Sequence, residues 1–187
     1  MTSFFIPETD HDERYAEIRD GAHPYSLEAR SFVEAIWPQC SEYLDSDFRR
    51  QAAYQFETRF WELYLVWALL QNQIALAKLP STRRSRPDLK TQAGTWIEAV
   101  LATPGTGVNA VPDLRDGIVD RFPEDEIVLR LRAAIEAKAG KWREYVAGGQ
   151  IQETDPFVIA VGARRIPMGR LESHVPRIVA AVFPFGP

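Results

Sequence analysis

The stretch RPDLKTQAGTWIEAVLA, residues 86–102, decides the fold. Gln92-Ala93-Gly94 is a turn signal, and the runs on either side of it are short and extended in character. The second run, TWIEAVLA, is rich in Trp, Ile and Val, as strands are. Its faces are Trp96/Glu98/Val100 and Ile97/Ala99/Leu101, both apolar except for Glu98, which predicts a central strand covered on both sides. A turn centred on Ala93 puts Asp88 opposite Glu98, with Cβ atoms about 4.5–5.5 Å apart. Two facing carboxylates repel unless positive charge lies between them, and a divalent cation with oxygen ligands at about 2.0–2.1 Å fits that need. A one-residue slip would turn Glu98 to the other face. On the same residues, Asp88 can instead serve as a turn residue after Pro87, and Glu98 as a buried acid paired with an arginine.

Upstream, the periodicity predicts one long helix over 47–78, with Asp47 as N-cap and no Gly or Pro before Pro80. Phe56, Phe60, Leu63, Trp67 and Leu70 form one apolar stripe; Tyr54, Trp61, Leu65 and Leu69 form a second almost opposite, so the helix should be sandwiched. Before it, residues 1–46 are expected to be a polar N-terminal arm with a short amphipathic helix over 26–37, stopped by Pro38. Downstream, 103–125 holds several Pro and Gly and is expected to be a long surface excursion. A helix over 126–146 follows, ended by Gly148-Gly149, then a buried strand over 156–163 (PFVIAVGA) and a last strand over 177–183. The class is therefore mixed α/β, with residues 47–187 forming the main domain. The apolar ending IVAAVFPFGP suggests either a missing C-terminal part or an edge packed on a partner, such as a second copy.

Lys138 sits in the middle of the stripe Leu131, Ile135, Trp142 and Tyr145 on the helix over 126–146, whereas Lys141 lies at its flank. A lysine there must snorkel, find a carboxylate or serve a site. Against a two-carboxylate cation site it could orient an attacking water and stabilise transition-state charge. Glu62, hemmed by Trp61, Leu63, Leu65 and Val66, needs a partner too; Arg59 three residues earlier is the structural choice, the metal site by way of water the functional one.

Composition narrows the chemistry. The 187 residues suit one domain, and 45% hydrophobic with 26% charged residues is ordinary globular usage. The single Cys40 excludes an intramolecular disulfide, and three scattered histidines disfavour a His-based metal site or triad. The longest apolar stretch, near residues 63–70, is too short to span a bilayer, and MTSFFIPETDHDERY lacks a basic leader region. The expected setting is the cytoplasm, with no membrane association. The net charge of −4 argues against a protein coated in positive charge, though not against a local basic groove.

An acidic helix, Pro87-Asp88, a hairpin, Glu98 in a buried strand, a lysine-bearing helix and a hydrophobic strand, in that order, resemble the PD-(D/E)XK nuclease superfamily. RFWELYL, RPDLK, WIEAV, LRLRAAIEAK and DPFVIAV are also similar to bacterial proteins of this nuclease-like type. The resemblance covers about residues 47–163 and implies a restriction-endonuclease-like core: a central mixed sheet flanked by helices, in the order α-β-β-β-α-β. The chain departs from the family pattern at Val100, which stands where the usual lysine follows the acid by two residues. Some branches carry that lysine on the next helix, and Lys138 looks like that case. The resemblance implies a Mg²⁺- or Mn²⁺-dependent phosphodiesterase acting on nucleic acid, chiefly DNA. Asp88 and Glu98 would hold the metal, Lys138 would position water, and Glu62, or less readily Glu57, would be an outer ligand. Lys90 and Lys141 are the secondary lysine candidates. Arg83-Arg84-Ser85-Arg86 and Arg164-Arg165 could contact phosphates. The missing standard lysine equally suits a catalytically inactive nuclease-like module serving as an interaction or defence-associated scaffold.

Overall fold

The hairpin turn is built by two threonines and a glycine. In the computed structural model, which describes residues 2–7, 12–80, 86–113, 121–171 and 174–183, the Thr91 N–H donates to the Thr95 carbonyl at 2.8 Å and the Gly94 N–H to the Thr91 carbonyl at 3.0 Å. The Thr95 N–H donates to Thr91 Oγ1 at 3.0 Å. Gly94 has φ 98, the left-handed region that a three-residue hairpin loop requires at its last position and that glycine enters without steric cost. The result is the register of a turn centred on Ala93: in the antiparallel pair of β1 (Leu89–Lys90) and β2 (Trp96–Leu101), Leu89 faces Ile97 and Lys90 faces Trp96.

Further extended chain lies on both sides of the hairpin. An isolated antiparallel bridge joins Leu76 to Thr91; the Ala77 N–H donates to the Lys90 carbonyl and the Gln92 N–H to the Ala75 carbonyl, both at 2.8 Å. On the other side β2 neighbours β3 (Phe157–Gly162), in the order β1-β2-β3. The Trp96 N–H reaches the Pro156 carbonyl and the Ala102 N–H the Gly162 carbonyl, each at 2.8 Å. Donor and acceptor advance together, so β2 and β3 run parallel, and α5 (Glu124–Ala147) supplies the crossover that a parallel pair needs. The class is mixed α/β with a small mixed sheet. β2 is buried throughout except for half-buried Val100, as its composition predicts. β3 is not the buried strand expected: most of it is half-buried and Val158 is 47% exposed, because it ends the sheet among the described residues.

The chain divides into two compact units, Met1–Glu98 with Gln150–Val158 and Ala99–Gly149 with Ile159–Pro187. The first unit contains α1 (Glu13–Asp20), α2 (Pro24–Cys40), α3 (Phe48–Ala52) and α4 (Phe56–Gln71). Its N-terminal residues are core rather than a polar arm. Phe4 is fully buried, and its ring lies 5.0 Å from that of Phe5 and 5.4 Å from that of Trp37. Pro38 does not stop α2; it sits in the last turn, where its missing N–H removes one bond while the Ser41 N–H still reaches the Trp37 carbonyl.

The single helix expected over 47–78 is two. The Tyr54 and Gln55 N–H groups both turn back to the Gln51 carbonyl, and the Phe56 N–H donates instead to Asp12 Oδ2 at 3.0 Å, so the chain restarts as α4. The same Asp12 carboxylate caps α1, its Oδ1 accepting the Arg14 and Tyr15 N–H groups at 3.0 and 3.1 Å. Neither contact is visible in the local sequence of the segment it interrupts.

In the second unit, Val111, Ile127, Leu131, Ile166 and Ala181 form the core. α5 ends beside Gly148-Gly149, Gly149 taking φ 69. The expected last strand is α6 (Arg177–Val182): the Val179 and Ala180 N–H groups both return to the Pro176 carbonyl, and Arg177 and Ala181, one turn apart, are its buried residues. A short apolar run fits either period, and here the helical one buries a face. Residues 102–113 form no strand or α-helix, as expected of the excursion, with a 3-10 turn at Gly107–Asn109; residues 114–120 lie outside the described chain.

Because Asp12 caps two helices, Asp12→Ala should lower the unfolding free energy by about 2 kcal/mol, twice the ordinary N-cap effect of about 1 kcal/mol. Denaturant titration measures it, and a loss under about 0.5 kcal/mol would show that the double cap carries no weight.

Candidate functional site

The hairpin places four of the sequence's polar and aromatic candidates on one face. Thr91 and Thr95 are a hydrogen-bonded pair, and such pairs alternate along an antiparallel ladder with non-bonded ones whose side chains come closer. Lys90/Trp96 is thus a close pair and Leu89/Ile97 a bonded one; Asp88 stands in the bend just before β1, and the same register continued by one residue would bring it opposite Glu98. Residues two apart share a face, so Asp88 and Lys90 project with Trp96 and Glu98. Asp88 is half-buried in the bend before β1, and Glu98 is 1% exposed.

Lys90 already has work on this face. Its Nζ lies 4.2 Å from the centroid of the Trp96 ring, a cation–π contact across the strands. Trp96 in turn donates from Nε1 to Asp155 Oδ2 at 3.2 Å. The Gln152 N–H, donating to the same oxygen at 3.0 Å, is the main cause holding the Asp155 carboxyl below the usual aspartate range, against desolvation and with help from Trp96 and the Lys90 charge. Sequence inspection missed Asp155; its position before Pro156 at the head of β3 was the only signal.

Glu62 is 7% exposed on α4 and takes the structural partner expected for it: Arg59 Nη1 donates to both of its oxygens, at 3.0 and 2.8 Å. Glu57 is half-buried in the first turn of the same helix. Arg86 pairs with Asp45 at 3.1 Å, while Arg83, Arg84 and Ser85 fall outside the described residues. These groups belong to the first unit. Lys138 belongs to the second, on α5, half-buried on the stripe where Leu131 and Tyr145 are buried; Lys141 is exposed. Arg164 and Arg165 also lie in the second unit, half-buried and exposed.

Cys40 is fully buried, and burial alone pushes its thiol up to about 12, so a thiolate nucleophile is not available near neutral pH. Among the described residues, no three His, Cys, Asp or Glu side chains form a group that could hold a metal ion. Nor is any described helix long and apolar enough to cross a membrane. No protein-family model, curated protein or solved structure matches the chain.

Arg59→Ala should destabilise the protein by about 3 kcal/mol, because it strips a buried carboxylate of its main cation. Adding Glu62→Gln should recover part of that loss. A double variant no more stable than Arg59→Ala would contradict the pairing.

Proposed function

We propose that the protein is a divalent-metal-dependent phosphodiesterase acting on nucleic acid, DNA in the first instance, with Asp88 and Glu98 as its metal-holding pair. The observation that carries this reading is the hairpin register of Leu89 with Ile97 and Lys90 with Trp96, which continued one residue into the bend would bring half-buried Asp88 opposite buried Glu98. The chain order supports a restriction-endonuclease-like core: α4, β1, β2, α5 and β3 follow in the order helix, two strands, helix, strand, with an isolated bridge at Leu76 where that core has a further strand.

The donor set fits magnesium. That ion takes one or two carboxylates and completes its octahedron with water and substrate phosphate oxygens, so a two-carboxylate pair is sufficient protein ligation. A bound Mg²⁺ or Mn²⁺ would supply a more acidic water and neutralise charge on the phosphoryl oxygens. A lysine in such a reaction orients the attacking water and meets the negative charge that develops on the phosphate, and Lys138 is this chain's candidate for that role. Lys90 is the secondary choice because Trp96 already engages it. Glu62 serves as an outer ligand while retaining Arg59, and Arg164 and Arg165 contact substrate phosphates.

A second reading, a catalytically inactive nuclease-like module, draws on Val100 in the usual lysine position and on the engagement of Lys90 by Trp96. One assay separates the two. Plasmid DNA, single-stranded DNA and RNA are incubated with the full chain and Mg²⁺ or Mn²⁺. The active reading predicts cleavage, reduced about 100-fold or more by Asp88→Ala, Glu98→Gln and Lys138→Ala but little by Lys90→Ala. Failure to cut any of the three, or variants of Asp88 and Glu98 that cut like wild type, overturns it.

A further inference from the structure

We propose that the first unit carries a second site, for a phosphate monoester of nucleotide size, where the N-terminal segment meets α1, α2 and α3. A cavity of about 750 Å³ lies there, within the range of small-molecule sites and larger than a bare phosphate needs. Arg19 of α1, Arg30 of α2 and Arg49 of α3 line it, with Asp20 as the one carboxylate among its described lining residues. It shares no lining residue with the hairpin face.

The charges around this cavity do not cancel. Arg19 is matched by Asp20, Nε to Oδ1 at 2.8 Å and Nη2 to Oδ2 at 3.0 Å. Arg49 donates from Nε to the Phe4 carbonyl at 2.9 Å, a neutral partner that fixes the guanidinium without offsetting its charge. The Arg30 charge acts on the carboxylates of both Asp20 and Glu34. The nearest acid on its own helix, Glu34, is engaged by the N-terminal segment: it accepts from Ser3 Oγ at 2.5 Å, the Phe4 N–H at 3.0 Å and the Phe5 N–H at 3.4 Å. Those donors, with a lesser contribution from the Arg30 charge, hold the Glu34 carboxyl below its ordinary value despite desolvation.

Glu34 thus anchors the N-terminal segment that forms part of the cavity wall, and the described lining itself carries three guanidinium groups against the one carboxylate of Asp20. Guanidinium forks match phosphate oxygens in pairs, which favours a phosphate over a single point acceptor. Phe5 and Pro7 add an apolar wall suited to the organic body of the ligand.

Isothermal titration of the full chain with adenosine 5′-monophosphate, adenosine and inorganic phosphate tests this. No divalent cation is added, so the outcome is independent of the hairpin carboxylates. The monophosphate should bind at least about tenfold more tightly than either fragment. Arg30 is exposed, so Arg30→Ala should keep the native circular dichroism and weaken binding about tenfold or more, the scale of one charge-assisted hydrogen bond, with Arg30→Lys recovering part. Monophosphate binding no tighter than that of the fragments, or unchanged in Arg30→Ala, overturns the proposal.

Discussion

One left-handed glycine governs where the acids of this protein stand. Gly94 closes a three-residue loop whose ends are tied by Thr91 and Thr95, and the loop length sets the pairing of every residue along β1 and β2. Side chains alternate with a period of two, so a slip of one residue would send Glu98 to the opposite face and leave Asp88 facing Ile97. Lys90 over Trp96 and Trp96 on Asp155 are consequences of the same register, and they tie the face to the head of β3.

The first unit is held by a different economy of groups. Asp12 and Glu34 are each single carboxylates that satisfy backbone N–H groups from chain segments far apart in sequence. Asp12 starts α1 and α4, while Glu34 pins the segment that carries Phe4 and Phe5. The rings then pack with Tyr15, Trp37 and Phe56. The cavity beside that segment is lined by Arg19, Arg30 and Arg49 against Asp20, a local excess of positive charge on a chain with a net charge of −4.

What the sequence made legible was local. The hairpin, its register, the crossover helix and the apolar character of β2 all follow from turn chemistry and periodicity within about a dozen residues. So did the Arg59–Glu62 pair, one turn apart on a helix. The misjudged elements depend on distant partners. The break between α3 and α4 answers to Asp12, some forty residues away. Phe4 and Phe5 look like part of a polar arm until Trp37 and Phe56 are placed against them. The strand expected over 177–183 is a helix whose Arg177 meets Glu124 of α5 at 2.9 Å. The role of Asp155 was hidden for the same reason, since its partner Trp96 lies in another strand.

The candidate site rests on Asp88 and Glu98 facing each other, and nuclear magnetic resonance tests that directly. In a non-hydrogen-bonded antiparallel pair the two Cα atoms approach to about 4.5 Å, which brings their Hα atoms close enough for a strong cross-strand Overhauser effect. The register predicts a strong Hα–Hα effect between Lys90 and Trp96, and the proposed site predicts a second between Asp88 and Glu98. Effects linking Asp88 to Ile97, or Leu89 to Glu98, would mean a slipped register and would contradict the paired-carboxylate site.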